Sequence, residues 1–440
     1  MLSDPICALA TPPGRSALAV VRLSGNGAFG IARRILCMPD DAPLPPYRSA
    51  TRATWYDATG PIDSGLVVFF RGPASYTGED LVEFSGHGGV LAPARLLAAL
   101  EAGGARQAGP GEFTRRALEH GKIDLLQAEA IGDLIDATAP IQARAALAQM
   151  EGGLSRRIER LRSDLIELEA LLSYEIDFPE EDDGPIDRGR IDSAFETAVG
   201  ATDALLATAP IGTKLRTGAL VVLAGRPNVG KSSLFNALVG EERALVTEVP
   251  GTTRDAIEAP GQVEGWPIRL VDTAGLRDSD DRVERMGVEV SRRYLAAADL
   301  VLICVEGGRE LDQEELALEA SHPAIVVRTK SDLQAAPGLA VSALTGQGLG
   351  DLRRELGERL FARRIGPESL EPMLTQERHR HALAAARQAL IDARGRLGDG
   401  DPAIVAHQVR SAVDQLDSLI GVVVVDDVLD RLFARFCIGK

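Results

Sequence analysis

Gly225-Arg226-Pro227-Asn228-Val229-Gly230-Lys231-Ser232 matches the pattern G-x-x-x-x-G-K-[ST] of a phosphate-binding loop. The apolar run Ala219 to Ala224 before it reads as a buried strand. Ser233-Leu234-Phe235-Asn236-Ala237-Leu238 after it reads as the start of a helix. Strand, loop and helix are the context in which this motif does its chemistry. Backbone N–H groups of such a loop cradle phosphates at the positive end of a helix dipole. Lys231 would reach the terminal phosphates, and the Ser232 hydroxyl would hold Mg²⁺.

Four further motifs follow in order. Gly251-Thr252-Thr253-Arg254-Asp255 supplies a threonine that completes a Mg²⁺ shell when a third phosphate is present. Ile268-Arg269-Leu270-Val271 reads as a strand delivering Asp272-Thr273-Ala274-Gly275, whose aspartate would hold Mg²⁺ through water and whose Gly275 would face the γ-phosphate. Ala324-Ile325-Val326-Val327-Arg328 leads to Thr329-Lys330-Ser331-Asp332, and Asp332 would accept both N–H groups of a guanine edge. Val341-Ser342-Ala343-Leu344 offers a backbone contact for the base. The set predicts a guanine-nucleotide domain over residues 214–368.

Two features depart from the usual pattern. The base-reading motif begins with Thr329 where Asn is common; a threonine hydroxyl can still bridge but reaches less far. Leu276 stands where Ras-like enzymes place a water-orienting glutamine. Hydrolysis is therefore either very slow or served from elsewhere. Asp278, Asp280, Asp281 and Glu284 in the charged segment that follows are all candidates for that service.

The rest of the 440-residue chain must house two more domains. An apolar content of 45% is ordinary for a chain with real cores, and a net charge of −16 argues against a broad basic footprint for nucleic acid. Any RNA contact would have to be local or shared with a partner. Cys7, Cys37, Cys304 and Cys437 lack metal-ligand spacing and suit a reducing compartment. With neither a signal pattern nor an apolar run approaching about 18 residues, the expectation is a cytoplasmic protein without a membrane span.

Residues 1–118 read as a small mixed α/β domain. Ala17 to Leu23, Gly65 to Phe70 and Leu81 to Phe84 look like strands, and Leu96, Leu97 and Leu100 are spaced as on a helix. The polar runs Ser75 to Asp80, Ser85 to Gly89 and Gly111 to Arg116 read, from composition, as turns and a helix cap. Residues 119–213 and 369–440 are helical in texture. Ile158, Leu161, Leu165, Leu168 and Leu172 form one apolar stripe, and Val405, Val409, Val413, Leu416 and Ile420 another. Pro210 is expected to end the helix that Ala194 begins. Stripes this short need a partner, so the two flanks are expected to pack as one helical domain with the nucleotide domain inserted between them.

Outside the nucleotide domain, several stretches carry a specific resemblance. These are Thr11-Pro12-Pro13-Gly14-Arg15, Ser75-Tyr76-Thr77-Gly78-Glu79-Asp80, His87-Gly88-Gly89, Gly111-Glu112-Phe113-Thr114, Lys122-Ile123-Asp124-Leu125, Gln127-Ala128-Glu129-Ala130 and the terminal Phe436-Cys437-Ile438-Gly439-Lys440. Over essentially its full length the chain resembles the MnmE (TrmE) family of tRNA-modification GTPases, whereas the nucleotide domain alone would fit Era or Der equally well. The resemblance implies a Ras-like P-loop GTPase domain inserted in a helical domain, preceded by an α+β domain that dimerises and binds a 5-formyl- or methylene-tetrahydrofolate. The matching folate positions are Arg22, Glu79, Lys122 and Lys440, with Cys437 nearby.

The resemblance further implies a homodimer that joins the FAD protein MnmG (GidA) as a heterotetramer. Together they place an aminomethyl or carboxymethylaminomethyl group on carbon 5 of the tRNA wobble uridine. It implies GTP domains that pair across their nucleotide faces around K⁺, with Asn228, Thr247, Val249 and Thr252 as ligands, Ser232 and Thr253 on Mg²⁺, and Glu284 as the water-orienting carboxylate. The implied GTP contacts run from Asn228, Val229, Gly230, Lys231, Ser232 and Ser233 through Thr247, Glu248, Val249, Pro250, Gly251, Thr252 and Thr253. They continue with Asp272, Thr273, Ala274 and Gly275 and end on Thr329, Lys330, Asp332, Ser342 and Ala343. For Cys437 a small apolar packing role competes with a catalytic thiol. A ribosome-assembly GTPase of the Era or Der type is the rival function, though such proteins carry a basic RNA module that is missing from this acidic chain. A scaffold with a dead nucleotide site is a third, opposed by intact Lys231, Ser232 and Asp272.

Overall fold

The computed structural model describes residues 4–177, 188–240, 258–272, 290–361, 372–397, 401–422 and 426–439. The chain forms two compact units. One is Met1–Gly132 with Asp417–Lys440, and the other is Asp133–Leu416. These units are drawn differently from the four segments read from the sequence. The last stretch of chain groups with the N-terminal sheet, and the helices from residue 140 to 217 and from 377 to 416 group with the nucleotide domain.

The first unit is built on strands β1 (Ile6–Leu9), β2 (Gly14–Ser24), β3 (Thr51–Asp57), β4 (Gly60–Phe70), β5 (Leu81–Gly89) and β6 (Arg106–Gln107). They lie in the order β3-β4-β5-β2-β1-β6, antiparallel throughout except for the parallel pair β1–β6. Helices α1 (Ala28–Ile35) and α2 (Leu91–Ala102) bring Ile31, Leu96 and Leu100 against Val21, Trp55, Phe69 and Phe84 of the sheet. The run Ser85 to Gly89 is not a turn after the third strand. It continues β5 and pairs with β2, His87 opposite Leu18 and Gly89 opposite Gly14. Its glycines serve packing: a Cβ on Gly86 would stand 2.6 Å from the Trp55 ring, and one on Gly65 of β4 only 2.2 Å from the Ser85 carbonyl. Helices α3 (Glu112–Glu119) and α4 (Leu125–Ile135) follow, and Leu125 and Ala128 are buried with Leu429 and Phe433 near the chain's end.

In the second unit come α5 (Pro140–Met150), α6 (Gly153–Asp177), α7 (Arg188–Leu206) and α8 (Ala209–Thr217). Next are β7 (Ala219–Ala224), α9 (Lys231–Gly240), β8 (Glu258–Val263), β9 (Trp266–Asp272), β10 (Leu300–Glu306), α10 (Gln313–Ser321), β11 (Ala324–Thr329), β12 (Leu339–Ala340) and α11 (Leu349–Phe361). The chain closes with α12 (Glu377–Arg394) and α13 (Pro402–Ile420), and α14 (Asp426–Phe433) lies in the first unit. Pro210 does not end a helix; it sits in the first turn of α8, where a missing N–H costs no helical hydrogen bond. The α6 stripe from Leu154 to Leu172 is buried, and α7 packs against both α6 and α12, with Arg394 reaching Asp192 at 2.8 Å and Glu196 at 2.7 Å.

The nucleotide sheet has the order β12-β11-β10-β7-β9-β8, parallel except for β8 against β9. Every residue of β7 is buried, as a central parallel strand covered on both faces requires. At the far end of the β8–β9 hairpin, Trp266 stacks on Phe361 at 4.6 Å and packs with Ile141, Leu215 and Met373. Among the described residues no helix is long and apolar enough to cross a membrane.

Candidate nucleotide site and N-terminal polar site

The nucleotide site lies at the carboxyl ends of the parallel strands, where the chain leaves β7 for neighbours on either side. Such a switch point is where open α/β sheets bind ligands. Gly225 leaves β7 at φ +135°, and a Cβ there would stand 2.3 Å from the Cys304 carbonyl of β10. Asn228 occupies the crest of the loop at φ +63° and is exposed; Asn tolerates this left-handed conformation better than most residues. Gly230 turns the chain at φ +98° into α9. The loop N–H groups are thereby brought to the positive end of α9, the arrangement that binds phosphate.

Lys231 is buried at the base of this loop, with Nζ donating to the carbonyls of Gly225 at 2.9 Å and Arg226 at 2.7 Å. Ser232 and Ser233 are exposed on the first turn of α9. Asp272 ends β9 and is buried; the register sets it beside Leu223, two residues before Gly225. Thr329 ends β11 and is 3% exposed. Its hydroxyl donates to the Val229 carbonyl at 2.5 Å and lies 3.3 Å from the Val305 carbonyl, which ties the base-reading loop to the phosphate loop. Lys330 takes φ +57° and sends Nζ to Glu306 at 2.9 Å, while Asp332 is exposed. Ser342 is buried in the neighbouring turn, where its Oγ accepts from the Thr345 N–H at 3.2 Å; Ala343 follows it, half-buried.

The structure thus brings Asn228, Val229, Gly230, Lys231, Ser232, Asp272, Thr329 and Lys330 to one edge of the sheet. Predicted residues 247–253, 273–275 and Glu284 lie outside the described residues, as do Leu276 and Lys440. Sequence reasoning passed over the pair Arg226–Asp312, at 2.7 Å, which ties the phosphate loop to the N-cap of α10. Arg226 fills a free position of the phosphate-loop pattern and Asp312 lies outside the nucleotide motifs, so the pairing had no sequence signal. Cys304 is inert in this setting, since burial pushes its thiol up to about 12.

In the first unit the loop Ser75 to Asp80 joins several of the predicted positions. Arg22 donates to Glu83 at 2.8 Å and to the Gly439 carbonyl at 3.1 Å, and its guanidinium lies over the Tyr76 ring at 5.8 Å. Glu79 accepts from Ser24 at 3.0 Å and from Arg116 at 3.1 Å. Lys122 Nζ donates to the Pro73 carbonyl at 2.9 Å, and a Cβ on Gly78 would touch its side chain at 3.4 Å. The terminal signature is threaded back into the same region. Ile438 bridges to Pro110, and a Cβ on Gly439 would meet the Leu9 carbonyl at 2.6 Å. Cys437 is exposed and free.

The residue missed here is Arg116. It is wholly buried, and its guanidinium donates to Glu79, to Glu112 at 2.9 Å, and to the backbone and carboxylate of Asp4. Burial pushes the Glu112 carboxyl up, but hydrogen bonds from Arg106, the Gly109 N–H and Arg116 outweigh it and hold its pKa below the ordinary value. A buried cation among three acidic partners cannot be read from a string in which arginines look exposed by default.

A phosphate-binding loop on the central parallel strand, a buried aspartate beside it and a base loop tied to it define a P-loop GTPase. The chain belongs to the family of tRNA modification GTPases called MnmE. The model for the MnmE helical domain matches residues 125–437, and that for the GTP-binding protein TrmE N-terminus matches residues 5–122. The tRNA modification GTPase MnmE of Azoarcus sp. is 44% identical, covering 99% of this chain and 98% of that protein. A Thermus thermophilus protein of the same name is 44% identical over 100% and 99%, and that of Aquifex aeolicus 39% identical over 100% of both. An overlay on a crystal structure of Aquifex aeolicus Era bound to GDP.AlF4- covers 39% of this chain and 66% of that one, at 24% identity and a TM-score of 0.26. The assignment rests on the sequences alone. The chain is accordingly a GTPase of tRNA modification.

Proposed function

We propose that this GTPase is K⁺-dependent and works with an FAD partner of the MnmG kind to add an aminomethyl or carboxymethylaminomethyl group at carbon 5 of the tRNA wobble uridine. The observation that supports the K⁺ reading most directly is Asn228, exposed at the crest of the phosphate loop where a facing copy can reach it. Leu276 cannot orient water, so that role must fall to another group. The donor set fits hard cations. Ser232 Oγ and Thr253 would hold Mg²⁺; Asn228 Oδ1 with Thr247, Val249 and Thr252 would hold K⁺. A bound K⁺ supplies positive charge at the phosphates. Glu284 would orient the attacking water, while Asp332 and the Ser342–Ala343 turn select guanine.

The N-terminal unit is read as the folate site and the homodimer interface. Arg22 and Lys122 suit an anionic tail, and Lys440 would join them. Glu79, oriented by Arg116 and Ser24, offers carboxyl oxygens to ring N–H groups. Functional segments 1–118, 119–213, 214–368 and 369–440 and a cytoplasmic location belong to the same reading. GTP turnover in K⁺ against Na⁺ tests it. A rate that collapses in Na⁺, and in Asn228→Ala, is expected; equal rates in both ions would sink the K⁺ mechanism. Glu284→Ala should bind nucleotide and lose turnover. Nucleoside analysis of tRNA from cells lacking the protein should show an unmodified wobble uridine.

A further inference from the structure

Helix α6 carries its cations towards its amino end and its acids further along. Its first ten residues hold Arg156, Arg157, Arg160 and Arg162 against the single acid Glu159. From Asp164 to Ser173 it holds Asp164, Glu167 and Glu169, with no cation. A cation in the first turn of a helix is placed against its dipole, and Arg156 stands there. The buried leucine stripe accounts for the helix but not for the charges outside it.

Two of these arginines are also unlike those of α12 that form ion pairs. On α12, Arg380 pairs with Glu377, Arg387 with Asp203, and Arg394 with Asp192 and Glu196. Arg156 and Arg160 are exposed, one helical turn apart, and among the described residues neither has a carboxylate partner. Arg156 donates only to the neutral carbonyl of Glu151, at 2.7 Å. In a chain of net charge −16, this is a local pair of exposed cations outside any ion pair of the described residues, with exposed Glu151 and Glu159 beside it.

We propose that the amino-terminal turns of α6 are a docking surface for the phosphate backbone of tRNA. Arg156 and Arg160 offer guanidinium groups to successive phosphates from an open helix face, which makes this a positioning contact without sequence readout. It also explains how so acidic a protein can meet RNA at all. The proposal rests on the family's tRNA substrate, which nucleoside analysis tests separately.

The test is binding of labelled tRNA to the full-length chain across a KCl series. Arg156→Glu/Arg160→Glu should weaken binding roughly tenfold or more, and should reduce the slope of log affinity against log salt by about 1.4 to 1.8, at 0.7 to 0.9 per lost phosphate contact. GTP turnover should be unchanged, because neither residue belongs to the nucleotide site. Arg156→Gln/Arg160→Gln should lose the same slope with less loss of affinity, and decides the matter if the glutamate pair misfolds. The control Arg354→Glu/Arg359→Glu makes the same charge change on α11 and should bind tRNA as the wild type does. Unchanged affinity and slope in the α6 variants, an equal loss in the control, or no tRNA binding by the wild type at low salt would each overturn the proposal.

Discussion

Thr329→Val tests the tie between the two halves of the nucleotide site. Valine replaces the hydroxyl with a methyl of similar size, so the buried position is neither emptied nor crowded. What is lost is the donor to the Val229 carbonyl at 2.5 Å, with its weaker second contact to Val305. Leaving a buried carbonyl without its donor costs about 1–3 kcal/mol. Val229 immediately precedes Gly230 and Lys231, so the loss falls on the segment that must be ordered to hold phosphate. If that cost is met on binding, affinity for GDP and GTP drops about 5- to 150-fold. Fluorescent GDP titration of the wild type and the variant measures it, with thermal unfolding of the nucleotide-free chain as a companion. Thr329→Asn should recover most of the affinity, since its amide also donates. An unchanged Kd in Thr329→Val, with unchanged stability, would refute the claim that this hydroxyl organises the loop.

Three further perturbations have defined outcomes. Arg116→Met leaves Glu79, Glu112 and Asp4 without their buried cation and should destabilise the N-terminal unit by about 3–5 kcal/mol. Of the chain's two tryptophans, Trp55 is buried in that unit, so urea unfolding in a Trp266→Phe background reads it. Glu112 has a folded pKa held below its ordinary 4.5, so its stabilisation is present above that value and is lost as pH falls through the folded pKa. Glu112→Gln should therefore flatten the acid limb of the stability profile below about pH 4.5, and an identical limb would be the contrary result. Gly225→Ala puts a methyl 2.3 Å from the Cys304 carbonyl at φ +135°, so GDP titration should show nucleotide binding lost, and thermal unfolding should show the domain destabilised by about 1–3 kcal/mol or more.

The nucleotide site was legible to the degree that its parts are local. A phosphate loop needs glycine where φ is positive and lysine and serine at a helix start, and all of these sit within eight consecutive residues, Gly225 to Ser232. Burial on both faces makes β7 a continuous apolar run, so its place was visible too. The misreadings came where one residue serves two structures. Pro210 looks like a stop because a proline inside a helix breaks it, yet the same residue is at home in a first turn. Ser85 to Gly89 looks like a turn because turns are rich in glycine, yet Gly86 is needed under the Trp55 ring.

By itself the sequence determined the guanine-nucleotide motifs, their order and the family, because those depend on residue types at short spacings. Tertiary structure alone decided what those residues touch. It sets the Thr329 hydroxyl on a carbonyl a hundred positions earlier in the chain. It closes three acidic partners around Arg116, and it returns the Ile438–Gly439 tail to β1 and Pro110. It also leaves Arg156 and Arg160 without carboxylates while their counterparts on α12 are paired. Each of these is decided by segments far apart in the chain, and no local pattern of apolar spacing or turn chemistry carries that information.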